Sequence, residues 1–192
     1  MAVVSIKNKL RRGNLLVGND PYIPTDFESI ATVTVGSGGS SSVSFSSIPS
    51  TYSHLQVRGL IRLKKTSEDY LTTTFNSGTA VTARHRLTGD GSTASAGGGS
   101  GTGQDFGPYP DASQTASVFG VLVLDILDYS NTNKYKTYRM LSGNDRNGAG
   151  RIDLQSTTAS STNAINEITF STYYGDGFAQ YSHFALYGIK GA

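Results

Sequence analysis

The sequence predicts an all-β protein, a jelly-roll-like antiparallel β-sandwich with an extended N-terminal arm. Three observations carry that prediction. The 192 residues are rich in Ser and Thr, include 23 Gly and 11 Tyr, and are only 16% charged. That is the composition of hydroxyl-bearing strands joined by many turns. Short segments of alternating apolar and polar residues recur along the body, and no ten-residue helical pattern interrupts them. Finally, residues 117–128, SVFGVLVLDILD, form the longest apolar run in the chain. Rich in β-branched and bulky residues and followed by the polar turn DYSNTNK, the run reads as the central strand of the sandwich, buried on both faces.

The length fits one domain plus an appendage, with the arm at 1–26 and the sandwich at 27–192. Charge is unevenly placed between them. Lys7, Lys9, Arg11 and Arg12 precede the first acid, Asp20, so the first 19 residues carry +4. The remaining 12 basic and 14 acidic residues leave the body at −2. Within the arm, Val3, Ile6 and Leu10 are spaced for one face of a short helix that Gly13 and Asn14 would stop. Pro21 and Pro24 then impose an extended path. Such an arm cannot bury its own Leu15, Leu16, Val17, Tyr22 and Ile23. A partner protein is the expected cover, with Lys7, Lys9, Leu10, Arg11, Arg12, Leu15, Leu16, Tyr22 and Ile23 as the contact residues. Folding back on the domain is the alternative. Four charges with no interleaved aromatic residue argue against nucleic acid.

The strands follow in order. Residues 27–35 (FESIATVTV) and 42–48 (SVSFSSI) alternate around the turn GSGGSS and make a hairpin, ended by Pro49. In 54–63 (HLQVRGLIRL), Leu55, Val57, Ile61 and Leu63 share one face, and His54, Gln56, Arg58, Leu60 and Arg62 the other. Segments 70–76 and 81–87 flank the turn NSGTA. Residues 88–109 then read as a Gly/Ser loop, long enough to be functional or mobile. After the central run, 134–142 alternates again, 151–155 is a short strand, 156–164 (STTASSTNA) reads as a polar loop, and 165–173 and 178–189 close the domain. These ten strands carry turn signals at sandwich spacing.

Chemistry is sparse. There is no Cys, hence no disulfide framework or thiolate metal site. His54, His85 and His183 each stand alone on a strand with no second ligand at metal spacing. Asp125 and Asp128 bracket the end of the central run, but three residues apart on a strand they point to opposite faces, unlike a glycosidase pair. The glycines of 88–103 lack the G-x-x-x-x-G-K-[ST] order and a following helix. Asn144 and Asp145 in GNDRNGAG lack the order and closing Glu of a calcium loop. No catalytic residue, metal or cofactor is predicted, and the expectation is not an enzyme. What remains is surface: Tyr109, Tyr129 and Tyr174 lie beside turns and offer a flat face with a hydroxyl tip to a glycan or protein. The competing reading is plain β-propensity. No apolar stretch reaches the roughly 20 residues of a membrane helix. The opening MAVVSIKNKLRRGN lacks a signal-peptide apolar core, so cytoplasmic synthesis of a soluble protein is expected.

Several stretches together resemble a family of small bacteriophage virion structural proteins, tail-fibre-like or decoration proteins of tailed aquatic phages. They are FESIATVTVGSGGSSSVSFSSIPSTYSHLQVRGLIR, TGDGSTAS, ASVFGVLVLDILDYSNTNKYKTYRMLSGNDRNGAG and FALYGIKGA. The likeness covers 27–192, and SSIPSTYSHLQVR and FALYGIKG are its most specific parts. It implies an all-β domain on the virion, assembled in the host cytoplasm, with other virion proteins of capsid or tail as partners. It brings no catalytic residues. Two departures stand out. NSGTA replaces the family's N-G-D-S/T-G, and STTAS stands where many relatives carry a Trp. The resemblance places attachment in the arm and implies a homo-oligomer, trimer favoured, which would also cover the open sheet edges. A receptor- or glycan-binding tail-fibre or spike module touching host surface glycan is the alternative.

Overall fold

A computed structural model describes residues 26–100, 107, 109–145 and 149–191. Among them the chain forms eleven strands and no helix. They are β1 (Phe27–Thr34), β2 (Ser42–Phe45), β3 (His54–Ile61), β4 (Leu71–Phe75), β5 (Thr79–Gly89), β6 (Ala94–Ser100), β7 (Gly120–Leu127), β8 (Lys136–Asp145), β9 (Gly150–Ala159), β10 (Ile168–Thr172) and β11 (His183–Ile189). Every pairing is antiparallel.

The strand order is β1-β11-β3-β7-β8-β9-β5-β4-β10-β2. Its two ends are the halves of a jelly roll: β1-β11-β3-β7 on one side, β2-β10-β4-β5 on the other. The β8–β9 hairpin is inserted between β7 and β5 and joins the two sheets along one side. β5 serves both sheets. Its first residues pair with β4, a register shift lies between Val81 and Ala83, and the rest pairs with β9 and β6.

The core lies between the sheets. From the large sheet (β1, β11, β3, β7, β8, β9, β5 and β6, the other being β2, β10, β4 and the start of β5) come Leu55, Val57, Ile61, Leu122, Leu124, Ile126, Tyr138, Met140, Phe184 and Leu186, all buried. From the small sheet come Val43, Phe45, Leu71, Phe75, Ile168 and Phe170. Ring pairs cross the gap: Phe170 stacks on Phe184 at 5.3 Å, and Phe75 meets Tyr138 edge-on at 5.3 Å. Toward the β8–β9–β5 side the inner face turns polar. Asp153 is held by Arg151 Nε at 2.8 Å and by the Thr88 hydroxyl, and Gln155 donates to Thr157 Oγ1 at 3.0 Å. Lys136 is buried and donates to the carbonyls of Asn131, Lys134 and Thr162.

Four expectations change. Residues 27–35 and 42–48 do not pair as a hairpin: β1 pairs with β11 and β2 with β10, at opposite ends of the strand order. The supposed loop 88–109 contains β6, whose sequence ASAGGGS is exposed throughout and is held by backbone pairing with β5. Residues 156–159 are not loop but the end of β9, and their inner-facing Thr157 and Ala159 are buried. The central run is not buried on both faces. In β7, Gly120, Leu122, Leu124 and Ile126 are inside, while Val121 and Leu127 are open to solvent.

Candidate interaction surface

The cross-strand register builds the outer face of the large sheet row by row. One row runs Leu60, Val121, Gly143, Ile152, Gly89 across β3, β7, β8, β9 and β5. The next runs Arg58, Val123, Leu141, Leu154, Leu87, Ala96 and reaches β6. These positions alternate with the buried ones, so the pleat aims them outward. Leu60, Leu87, Val121, Leu141, Ile152 and Leu154 are between 43% and 60% exposed. Singly such residues are ordinary. Contiguous across five strands, they form the kind of patch that marks an interaction site.

The apolar rows have charged borders. On one side lies the row Gln56, Asp125, Arg139, Ser156, His85. Asp125 accepts from Gln56 at 2.7 Å and from Arg139 at 3.2 Å, and Arg139 stays largely exposed. On the other side are the strand ends with Asp145 and Asp90. Ser92 N–H at 2.9 Å and Thr93 N–H at 2.7 Å both donate to the Asp90 carboxylate and hold its pKa below the ordinary range. Beside the rows, Leu87, Leu154, Ala96 and His85 line an open, mainly apolar groove.

The three tyrosines expected at the surface divide. Tyr109 and Tyr129 are core residues, which corrects that expectation. Tyr109 lies against β7 where Gly120 leaves room; a Cβ there would meet the Tyr109 ring at 2.9 Å. Burial pushes its phenol pKa up. Tyr129 donates its hydroxyl to the Pro49 carbonyl and accepts Ile165 N–H on its own carbonyl at 2.9 Å, so it ties two loops to the end of β7. A residue beside a turn is buried when a neighbouring loop closes over it, and local pattern does not report that closure.

Tyr174 is exposed, as expected. Lys65 Nζ sits 3.6 Å from its ring centroid, Tyr173 packs edge-on at 5.0 Å, and Lys65 pairs with Asp176 at 3.6 Å. Gly175 and Gly177, at φ +87° and +82°, turn the chain here. The result is an aromatic platform with a cation and a carboxylate at its edge.

The expected arm contacts, Lys7, Lys9, Leu10, Arg11, Arg12, Leu15, Leu16, Tyr22 and Ile23, lie outside the described residues. The root of the arm is described and is clamped. Asp26 C=O accepts from Lys190 N–H at 2.9 Å. Glu28 accepts from Tyr52 OH at 3.0 Å and from Lys190 Nζ at 2.8 Å. His54 accepts Asp128 N–H at 3.1 Å, and His183 meets Thr34 Oγ1 at 2.9 Å. Among the described residues, no three His, Cys, Asp or Glu side chains gather as a metal site.

Sequence reading missed the apolar face because the outer residues of β3 read as a solvated face and the central run as buried on both faces. The signal was present: Leu60 among polar neighbours, and Val121 and Val123 on the second face of β7. The described body is thus an all-β sandwich that presents an apolar sheet face to solvent. No protein-family model matches the chain, and no curated protein matches it.

Proposed function

We propose that this chain is a structural subunit of a bacteriophage virion, a surface appendage or decoration protein docked on the capsid or tail through residues 1–26. The observation that carries the reading is the exposed aliphatic face of the large sheet. A domain that works alone in water gains nothing from keeping six large aliphatic side chains together on one solvated face, whereas an assembled subunit covers them. The clamped root at Asp26, Glu28 and Lys190 supports the same reading, since an attachment arm must leave from a fixed point. So does the resemblance of residues 27–192 to phage virion proteins.

Mass spectrometry of purified particles, with the chain's density located on them, tests the assignment directly. Deleting residues 1–24 is expected to leave a folded, soluble domain that no longer joins the particle. Incorporation of the truncated chain at normal occupancy would sink the arm reading.

A second reading, a receptor- or glycan-binding module, is favoured by the Tyr174 platform with Lys65 and Asp176. Exposed aromatic faces edged by charged groups suit sugar rings. A glycan array with the full chain and with Tyr174→Ser tests it. Binding that survives Tyr174→Ser unchanged counts against this platform.

A further inference from the structure

We infer that the outer face of the large sheet takes a second copy of this chain, sheet on sheet, about a two-fold axis running across the strands between the two apolar rows. This rests on the assembly reading above and names the partner. On β8, Leu141 stands two residues before Gly143; on β5, Leu87 stands two residues before Gly89. Both pairs are on the outward face, and the space over Gly89 is open, with only Ile152 within 4 Å of an added Cβ, at 3.5 Å. The two-fold axis lays each row on the opposite row of the other copy. Leu141 then sits over the partner's Gly143, Leu87 over the partner's Gly89, and Ile152 against the partner's Leu154. On β5, β7, β8 and β9 each large side chain meets a glycine or an aliphatic group, and on β3 Leu60 meets the partner's Arg58 at the rim, so the patch is complementary to itself over four strands, as an isologous contact requires.

Charge follows the same operation. Among the outward residues of β8, Arg139 stands one position before Leu141, and Asp145 one position after Gly143. His85 stands on β5, and Asp90 follows its last residue. Reversal of the strands brings Arg139 toward the partner's Asp145 and His85 toward the partner's Asp90. An axis along the strands would instead place like ends together. Complementary ends fix register as well as affinity.

Area is adequate. Six aliphatic side chains, each about half exposed, contribute roughly 500 Å² of apolar surface, the core of a standard interface of about 800 Å² per partner. The polar borders supply the rim.

The test is sedimentation or light scattering of the full chain across micromolar concentrations. The expected result is a dimer, or an even-numbered assembly of dimers. Leu154→Arg is expected to weaken self-association by roughly tenfold or more, with unchanged circular dichroism and melting because the side chain points to solvent. Arg139→Asp and Asp145→Arg are each expected to weaken it, and the double exchange to restore it. An odd stoichiometry, or Leu154→Arg associating like the parent chain, overturns the proposal. So does a parent chain monomeric at every concentration. If that monomer still joins particles, and Leu154→Arg abolishes joining, a different virion protein covers the face and the virion reading stands without the dimer. If the parent chain is absent from particles yet dimeric through Leu154, the dimer stands and the virion reading falls.

Discussion

The two faces of β7 carry the same kinds of residue and meet opposite fates. Leu122, Leu124 and Ile126 are buried; Val121 and Leu127, one position away, are about half exposed. Nothing in the side chains separates the two sets. The difference lies in what stands opposite. The small sheet brings Phe75, Ile168 and Phe170 over the inner face, and no described strand lies over the outer one. Apolar character therefore says that a residue wants cover, while topology decides whether its own chain provides it. On the inner face the cover is folding; on the outer face we assign it to assembly.

Truncation on each face is the most direct way to break that comparison. Leu124→Ala opens a cavity between two packed sheets and is expected to cost about 3–4 kcal/mol, within the range for buried leucines. Leu141→Ala, on the outer face, is expected to change the stability of the monomer by less than about 0.5 kcal/mol. Urea melts at a concentration where the chain is monomeric measure both. Equal losses would mean that the outer row is packed against something the domain itself supplies.

Glycines sharpen the same contrast. Gly120 faces inward, where a Cβ would lie 2.9 Å from the Tyr109 ring, 3.0 Å from Pro110 Cδ and 3.1 Å from the Gly143 carbonyl. Gly120→Ala must shift the segment at Tyr109 and Pro110, at a cost of about 2 kcal/mol. Gly89→Ala on the outward side meets a single neighbour at 3.5 Å, and is expected to leave the melt within about 0.5 kcal/mol. It would, however, fill the recess assigned to the partner's Leu87, so its effect belongs in association rather than folding.

How much of this could be read from sequence depends on which physical signal each element carried. β3 and β8 alternate cleanly and were legible. β6 was not. Its ASAGGGS has no side chain that needs burial, and only the backbone donors and acceptors along β5 make it a strand. The end of β9 was hidden for another reason: its buried face carries Asp153, Gln155 and Thr157, so hydropathy alternation fails where hydrogen bonds replace apolar contact. The outer apolar face was half legible, since Leu60 and Val121 interrupt the expected pattern, but their contiguity depends on a strand order that brings together residues from 60 to 154. Burial of Tyr109 and Tyr129 was out of reach, because Tyr109 packs against β7 at Gly120 and Tyr129 is tied to the segments at Pro49 and Ile165, contacts that local pattern does not carry.

Tyr129 offers a smaller test of such a closure. Its hydroxyl reaches the Pro49 carbonyl in the link between β2 and β3. Tyr129→Phe keeps the ring in the core and removes that hydrogen bond together with the longer one the hydroxyl accepts from Tyr52 N–H at 3.4 Å. The expected loss is about 1–2 kcal/mol, most of it from the shorter bond, again read from urea melts. A loss as large as that of Leu124→Ala would mean that the hydroxyl organises more than one loop.

The last prediction leaves neutral stability untouched and concerns alkaline pH. Tyr109 is buried, and burial holds its phenol pKa above the ordinary value of 10.0. Above about pH 10 the unfolded chain releases this proton while the native chain keeps it. The native state then binds more protons than the unfolded state, so stability falls as pH rises, by up to about 1.4 kcal/mol per pH unit for this one group. Below pH 10 both states hold the proton and the slope vanishes. Tyr109→Phe removes the group from the balance, and its stability curve is expected to fall less steeply than the parent's above pH 10 while the two run parallel below it. Melts taken across that range by circular dichroism measure the difference. Identical slopes would mean that the Tyr109 ring ionises in the folded protein, in contact with solvent after all, and the line drawn between inner and outer residues at this edge of β7 would have to move.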